Sequence, residues 1–284
     1  MTHTPPAPAA VATAARATVF ALALFVAGAV APVPGVPALG VPAAATADPA
    51  ASAQAVAQAD AQYAKFDYEA ALTTCRAGLA RDSTSYDLWW RLARSLDDRG
   101  ARANYDNDKP KAEAAFTEAV TAGRRAVVLG SEKPDGHVEL SIALGRLALF
   151  KGGKEKLRLS KEIKSEADRA LAIDPKQHRA EHVLGRWNRS IAELSFFEKA
   201  AANTIMGGLP KGATREAAVT HFEKAIELAP EHANHHLELG RTLLGLGLKA
   251  KARAEFEKTL ACPAKSPFDT EYKQQAQQLT AKTQ

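Results

Sequence analysis

Four times this chain writes leucine, a small residue and arginine: Leu92-Ala93-Arg94, Leu144-Gly145-Arg146, Leu184-Gly185-Arg186 and Leu239-Gly240-Arg241. The arginines stand 40 to 55 residues apart. Recurrence on that scale points to a repeated structural unit, and repetition restricts the fold before any local pattern does. A single small unit buries too little by itself, so neighbours must stack to complete one core. The same recurrence carries one arginine per unit toward one face.

From Asp48 onward apolar residues fall three and four apart, and no sustained strand-type alternation interrupts them. The clearest stretch is AAVTHFEKAIELAP, where Ala218, Phe222, Ala225 and Pro230 have the spacing of a tetratricopeptide second helix. Small alanines admit a neighbouring helix, the phenylalanine fills the space between helices, and the proline stops the helix. Ile163, Ala167, Ala170 and Pro175 repeat the spacing, as do Ala122, Ala126, Leu129 and Pro134, while Ala252 and Phe256 continue it. The expected fold is all-α: a tetratricopeptide-like antiparallel helix-pair solenoid with irregular, lengthened repeats and a C-terminal capping helix. The extra length is assigned to a polar loop over 97–109, a longer connection over 151–160 and an apolar extension over 195–212. Ser266-Pro267 reads as the start of the last helix, whose apolar stripe is Phe268, Tyr272, Ala276 and Leu279.

Alanine-rich composition with only 6% aromatic residues suits closely packed helices. The formal charge of +5 is mild and spread along the chain, which does not mark a nucleic-acid binder. Cys75 and Cys262 lie far apart in the array and read as core residues. Residues 1–47 contain one charged side chain, Arg16, before the apolar stretch Ala17 to Ala31. That stretch has the length of a secretory signal core and is short for a membrane span. Two domains are therefore expected: 1–47, a signal peptide with a Pro/Ala-rich linker, and 48–282, the repeat domain. Cleavage is placed after Ala45-Thr46-Ala47, giving an exported chain, periplasmic or extracellular; the alternative is an uncleaved N-terminal membrane anchor.

The stretch from His182 to Pro230 is more particular. It combines His182, Leu184, Gly185 and Trp187 in one helix with Pro210 in a turn after a long insertion. Glu216, Ala217, Phe222, Lys224, Ala225, Glu227 and Pro230 follow in the next helix. This resembles the regulator of microtubule dynamics family, a tetratricopeptide-like group, over residues 137–282. The resemblance implies the same helical-repeat fold and, as one functional reading, a cytoskeleton-associated regulator.

The motifs of phosphate-binding loops, of G-x-S-x-G nucleophiles and of H-E-x-x-H metal helices are missing. His232, His235 and His236 cluster without an evident third ligand, so no metal and no cofactor is expected, and a metal-dependent enzyme built on them is the weaker alternative. The basic run from Lys151 to Lys164 reads as a solvated helix start. In a stack of helix pairs the first helices line the concave surface. Arg94, Arg146, Arg186 and Arg241 are then expected along one groove, with His182, Arg189 and Asn234 beside them. Guanidinium groups favour carboxylates, so the expected partner is a protein or peptide, in particular an acidic segment, with no nucleic acid and no stable membrane span. The expectation is a non-catalytic binding scaffold. The competing reading pairs each arginine with an acidic residue of an adjacent helix.

Overall fold

Asp48, Asp67, Asp108 and Thr214 each start a helix on a side chain that accepts a backbone N–H three residues on, from Ala51, Ala70, Lys111 and Ala217 at 2.9–3.1 Å. These caps satisfy donors that the first helical turn leaves open. Pro49, Pro110 and Pro134 add a preset backbone angle in the first turn of three helices. The computed structural model describes residues 48–195, 198–200, 202, 208 and 212–283. The leader and linker expected over 1–47, and most of the 195–212 extension, lie outside the described residues.

Among the described residues the helices are α1 (Pro49–Tyr63), α2 (Tyr68–Arg81), α3 (Tyr86–Tyr105), α4 (Lys109–Leu129), α5 (Pro134–Leu147), α6 (Gly153–Ile173) and α7 (His178–Ala192). After them come α8 (Arg215–Leu228), α9 (Ala233–Gly245), α10 (Lys249–Ala261) and α11 (Asp269–Thr280). They pack as successive pairs, α1 with α2 through α9 with α10, and α11 lies against the last pair. Three of the turns inside pairs share one device. Phe66, Asn107 and Gly247 take left-handed backbone angles, with φ of 62°, 62° and 76°, immediately before the residue that opens the second helix.

Each arginine triplet falls in the first helix of a pair: α3, α5, α7 or α9. Their registers differ. A Cβ on Gly185 would meet the Phe222 ring at 2.7 Å, and one on Gly240 would meet the Phe256 ring at 2.5 Å, so these two glycines admit the ring of the partner helix. In the α3–α4 pair the same contact is made by Gly100 and Phe116, two turns beyond Ala93. The working second-helix spacing of α4 is therefore Ala112, Phe116 and Ala119, all buried, and the later match ending at Pro134 is an extension of it. Gly145 has nothing within 4 Å of a built Cβ. Its partner helix α6 carries Ala167 where α4, α8 and α10 carry phenylalanine.

Two expected connections are helix. Residues 97–105 complete α3, and 153–160 begin α6. The polar residues in the first segment have partners distant in sequence: Arg99 bonds Glu69, and Arg102 bonds Glu271 at 2.5 Å. Gly100, Ala101 and Ala103 are buried between them.

The last helix starts later than Ser266-Pro267. Asp269 accepts the Lys265 and Ser266 amides at 2.5 and 2.7 Å, and α11 begins at Asp269. Its apolar stripe packs as expected on α9 and α10, with Phe268, Tyr272 and Ala276 buried. It also reaches back to the beginning of the array. Phe268 stacks on Tyr105 and Tyr68, with ring centroids 5.6 and 6.4 Å apart, and Arg102 donates to Glu271 and to the Pro267 carbonyl. The terminal helix thus joins both ends of the stack instead of only covering one.

Candidate binding cavity

The first helices of the pairs turn their inner faces toward a cavity of about 560 Å³. From α3 it receives Arg94, Asp97 and Asp98; from α5, Gly145 and Arg146; from α7, Arg179, His182, Arg186 and Trp187; from α9, Asn234 and His235. Leu157 and Ile163 of α6 add apolar wall, and Phe268 and Tyr272 border it from the C-terminal segment. Ligand pockets of comparable volume are common in proteins, with mostly apolar walls and a few polar groups that fix orientation.

The charged groups are paired unequally. Arg179 forks onto buried Glu139, with the Nη2–Oε2 bond at 2.9 Å. Arg94 lies 3.6 Å above the Tyr63 ring and 3.4 Å from Asp60. Asp98 accepts the Tyr63 hydroxyl at 2.6 Å. Burial, then the neighbouring Asp97, pushes the Asp98 carboxyl up to about 7. Arg146 reaches Asp97 only at 3.5 Å, and both Arg146 Nε and Asp97 Oδ1 are buried without a hydrogen bond. Arg186 has neither hydrogen bond nor ion pair among the described residues. Burial, with Arg146 and Arg189 nearby, lowers its pKa even though Glu238 partly opposes this.

Four histidines form a separate network at the α7–α9 boundary. His178 Nδ1 lies 2.8 Å from His235 Nε2, and His235 Nδ1 lies 2.9 Å from His182 Nδ1. His232 stacks on His235 with centroids 4.4 Å apart. Both nitrogens of His235 are engaged by other rings, so the nitrogens form a chain instead of converging on one point. No group of three or more potential ligands arranged to hold a metal is found among the described residues. His236 is not part of the network: it bonds Glu255 at 2.7 Å and the Pro230 carbonyl at 2.9 Å. His137 makes the same bracket with Glu166 and the Ser131 carbonyl.

A family model described as "Regulator of microtubule dynamics protein 1-3" matches residues 55–284, well over half of the chain. The chain belongs to this family. Regulator of microtubule dynamics protein 1 of Bos taurus is 26% identical over 200 residues, covering 70% of this chain and 62% of the relative. Regulator of microtubule dynamics protein 3 of Rattus norvegicus is 29% identical over 144 residues, covering 51% of this chain and 30% of the relative. This chain therefore spans less than two thirds of the length of these curated relatives. Among solved structures, a thermophilic TPR protein of Thermus thermophilus superposes with a TM-score of 0.59 at 17% identity, over 80% of this chain and 99% of that one. That likeness shows the tetratricopeptide fold.

In this member of the regulator of microtubule dynamics family, the residues expected along one groove divide. Arg94, Arg146, His182, Arg186 and Asn234 line the cavity together. Arg189 and Arg241 instead meet at buried Glu238. Arg189 donates to its carboxylate and its carbonyl, and Arg241 donates at 3.0 Å and also bonds Gln275. Burial would raise the Glu238 carboxyl, but Arg189, Arg186 and Arg241 hold it well below the usual range. The structural-pairing alternative describes Arg94, which meets Asp60 of α1, and Arg146, which lies 3.5 Å from Asp97 of α3; the acid that Arg241 meets is in its own helix. Sequence reasoning misses Asp97, Asp98, Arg179, Trp187 and Tyr272 as cavity residues. The helical course of α3 would reveal the aspartates, and the signal for it is Gly100 and Phe116, separated in sequence as Gly240 and Phe256 are.

Proposed function

We propose that this protein is a non-catalytic helical-repeat scaffold that holds a protein or peptide by an acidic group received on its arginine-bearing inner face. One observation carries the reading: Arg186 faces the cavity with no direct hydrogen bond or ion pair among the described residues, while its neighbours Arg179 and Arg189 bond directly to Glu139 and Glu238. A half-buried guanidinium with its donors uncommitted can receive a carboxylate through charge-assisted hydrogen bonds. The two thiols support a binding role over nucleophilic chemistry: both are buried, and burial pushes Cys75 up to about 11.

The decisive comparison is between Arg186→Gln and Arg189→Gln. The first is expected to weaken an acidic peptide about tenfold or more and leave the melting curve nearly unchanged. The second removes the bonds from α7 to the Glu238 carboxylate and carbonyl, leaving Arg241 as the direct partner, and is expected to lower the melting temperature. Unchanged affinity in folded Arg186→Gln would remove the arginine face from the account. The relatives' names favour a second reading, regulation of the cytoskeleton, which co-sedimentation of the full chain with microtubules tests directly. Export from the cytoplasm is proposed on the Ala17–Ala31 stretch, and the mature N-terminus is expected at Asp48. Sequencing that finds Met1 or Thr2 intact in the native protein excludes cleavage.

A further inference from the structure

The cavity wall is mostly hydrocarbon, and its buried serine hydroxyls and indole N–H are engaged. Ser160 accepts the Trp187 indole N–H at 2.9 Å, and Ser141 donates to the Val138 carbonyl at 2.7 Å. Asn234 lies 3.5 Å from His182 Nε2. Ile142, Leu149, Leu157, Ile163, Trp187 and Ile191 make up much of the wall, and Gly145 borders open space, with nothing within 4 Å of a built Cβ. An extended peptide would bring several amide donors and carbonyls into this space, where few free partners meet them. One anionic group on an apolar body makes fewer demands.

The charge count agrees. Cavity-lining cations are Arg94, Arg146, Arg179, Arg186, Lys156 and Lys265, against Asp97, Asp98 and Glu198 among the described residues. From outside the lining Glu139 answers Arg179, Glu231 answers Lys265, and Arg94 shares Asp60 with Arg91. Asp97 answers Arg146 weakly, and Asp98 is engaged by Tyr63. Among the lining arginines Arg186 is the one with no direct ion pair to a described residue. The C-terminal segment also lies across the inner face, with Phe268 and Tyr272 at the cavity and Glu271 tied to Arg102 of α3. A long chain passing through would have to displace this clasp, whereas a small acid or a chain end would not.

We infer that the cavity is a binding site for a single carboxylate on an apolar body, with the carboxylate on Arg186 and the body against Gly145, Leu157 and Trp187. This deepens the scaffold reading and rests on its claim that Arg186 faces a ligand. The required chemistry is shared by a free hydrophobic acid and by the C-terminus of a chain ending in an apolar residue. The two sources differ in experiment.

The test uses the full chain and titration calorimetry with four probes: decanoate, its methyl ester, a short peptide with a free C-terminal leucine, and the same peptide amidated. Decanoate is expected to bind saturably and the ester at least tenfold more weakly. Arg186→Gln is expected to weaken decanoate by a similar factor. Gly145→Leu, whose Cβ meets nothing within 4 Å, is expected to abolish binding while the protein stays folded. If the free-terminus peptide competes and the amidated one does not, the natural source is a chain end; decanoate binding without peptide competition assigns a free acid. Should Arg186→Gln fail to fold, the acid–ester comparison and Gly145→Leu still decide. Absence of binding by both carboxylate probes, or equal binding of acid and ester, overturns the inference. An acetylated, amidated acidic peptide that needs Arg186 while neither carboxylate probe binds would leave the scaffold standing and remove this site alone.

Discussion

Burial keeps an imidazole neutral where no counter-charge outweighs it, and the α7–α9 boundary gathers four such rings. Burial, then neighbouring cationic groups, holds His178 and His232 at about 4 and pushes His235 well below its ordinary value; burial does the same to His182 although Glu238 opposes it. In the unfolded chain the same rings take up protons near 6.5. Between about pH 4 and 6.5 the unfolded state therefore binds more protons than the folded one. The stability these rings contribute is full above pH 6.5 and is lost as pH falls toward 4. His137 acts in the opposite sense, because its hydrogen bond to Glu166 raises its pKa, so its contribution is full below 6.5 and declines as pH rises through its folded value. Four lowered rings outnumber the groups raised in this range, His137 and the Asp98 carboxyl near 7, so the net change is a loss in acid. Urea unfolding at pH 7 and pH 5 is expected to show this loss, and His232→Gln is expected to make it smaller. An identical pH dependence in the variant would exclude His232 as a contributor.

At the scale of the element, a glycine is informative through what faces it. Gly185 and Gly240 stand under the Phe222 and Phe256 rings, so alanine there must displace a packed aromatic side chain. Each substitution is expected to cost about 1–3 kcal/mol by overpacking. Gly145→Ala meets nothing and improves helix propensity, so it is expected to stabilise by up to about 1 kcal/mol. Equal melting temperatures for the Gly145 and Gly185 variants would show that the registers assigned to α5 and α7 are wrong. The triplets locate the first helices in the sequence because leucine and a small residue mark the side that packs. Register is less legible: Ala93, Gly145 and Gly185 are alike in one dimension and have three different surroundings. The second half of α3 reads as loop in the sequence because DDRGARANYDNDK shows no local apolar stripe. Its helical state rests on Glu69, Arg146 and Glu271, and single-sequence periodicity cannot register partners so distant. The cavity is half legible for the same reason. Arginine recurrence identifies Arg94, Arg146 and Arg186, but which of them lacks a direct anionic partner depends on where Asp60 and Asp97 fall in space.

Over the whole molecule the C-terminal helix changes what kind of array this is. A stack whose units touch only their neighbours is stabilised pair by pair. Here Phe268, 1% exposed, lies against Tyr68 and Tyr105 as well as in the core formed with α9 and α10. Phe268→Ala is expected to cost about 3–5 kcal/mol. Amide hydrogen exchange should then show lost protection at the end of α3 as well as in α11. Loss confined to α11 would mean that the clasp contributes nothing to the start of the stack. The clasp also sets an order of events as the chain leaves the ribosome. Arg102 and Glu271 are separated by 169 positions, so α3 emerges long before its partner exists. Until the final segment is made, Ala101 and Tyr105 lack their Phe268 cover, and that exposed apolar strip is open to chaperones, to other nascent chains or to premature self-association. Emergence of α11 is thus also the moment of closure, so that a chain stopped a few residues before Phe268 would carry α1 to α10 and still present that strip to whatever it meets.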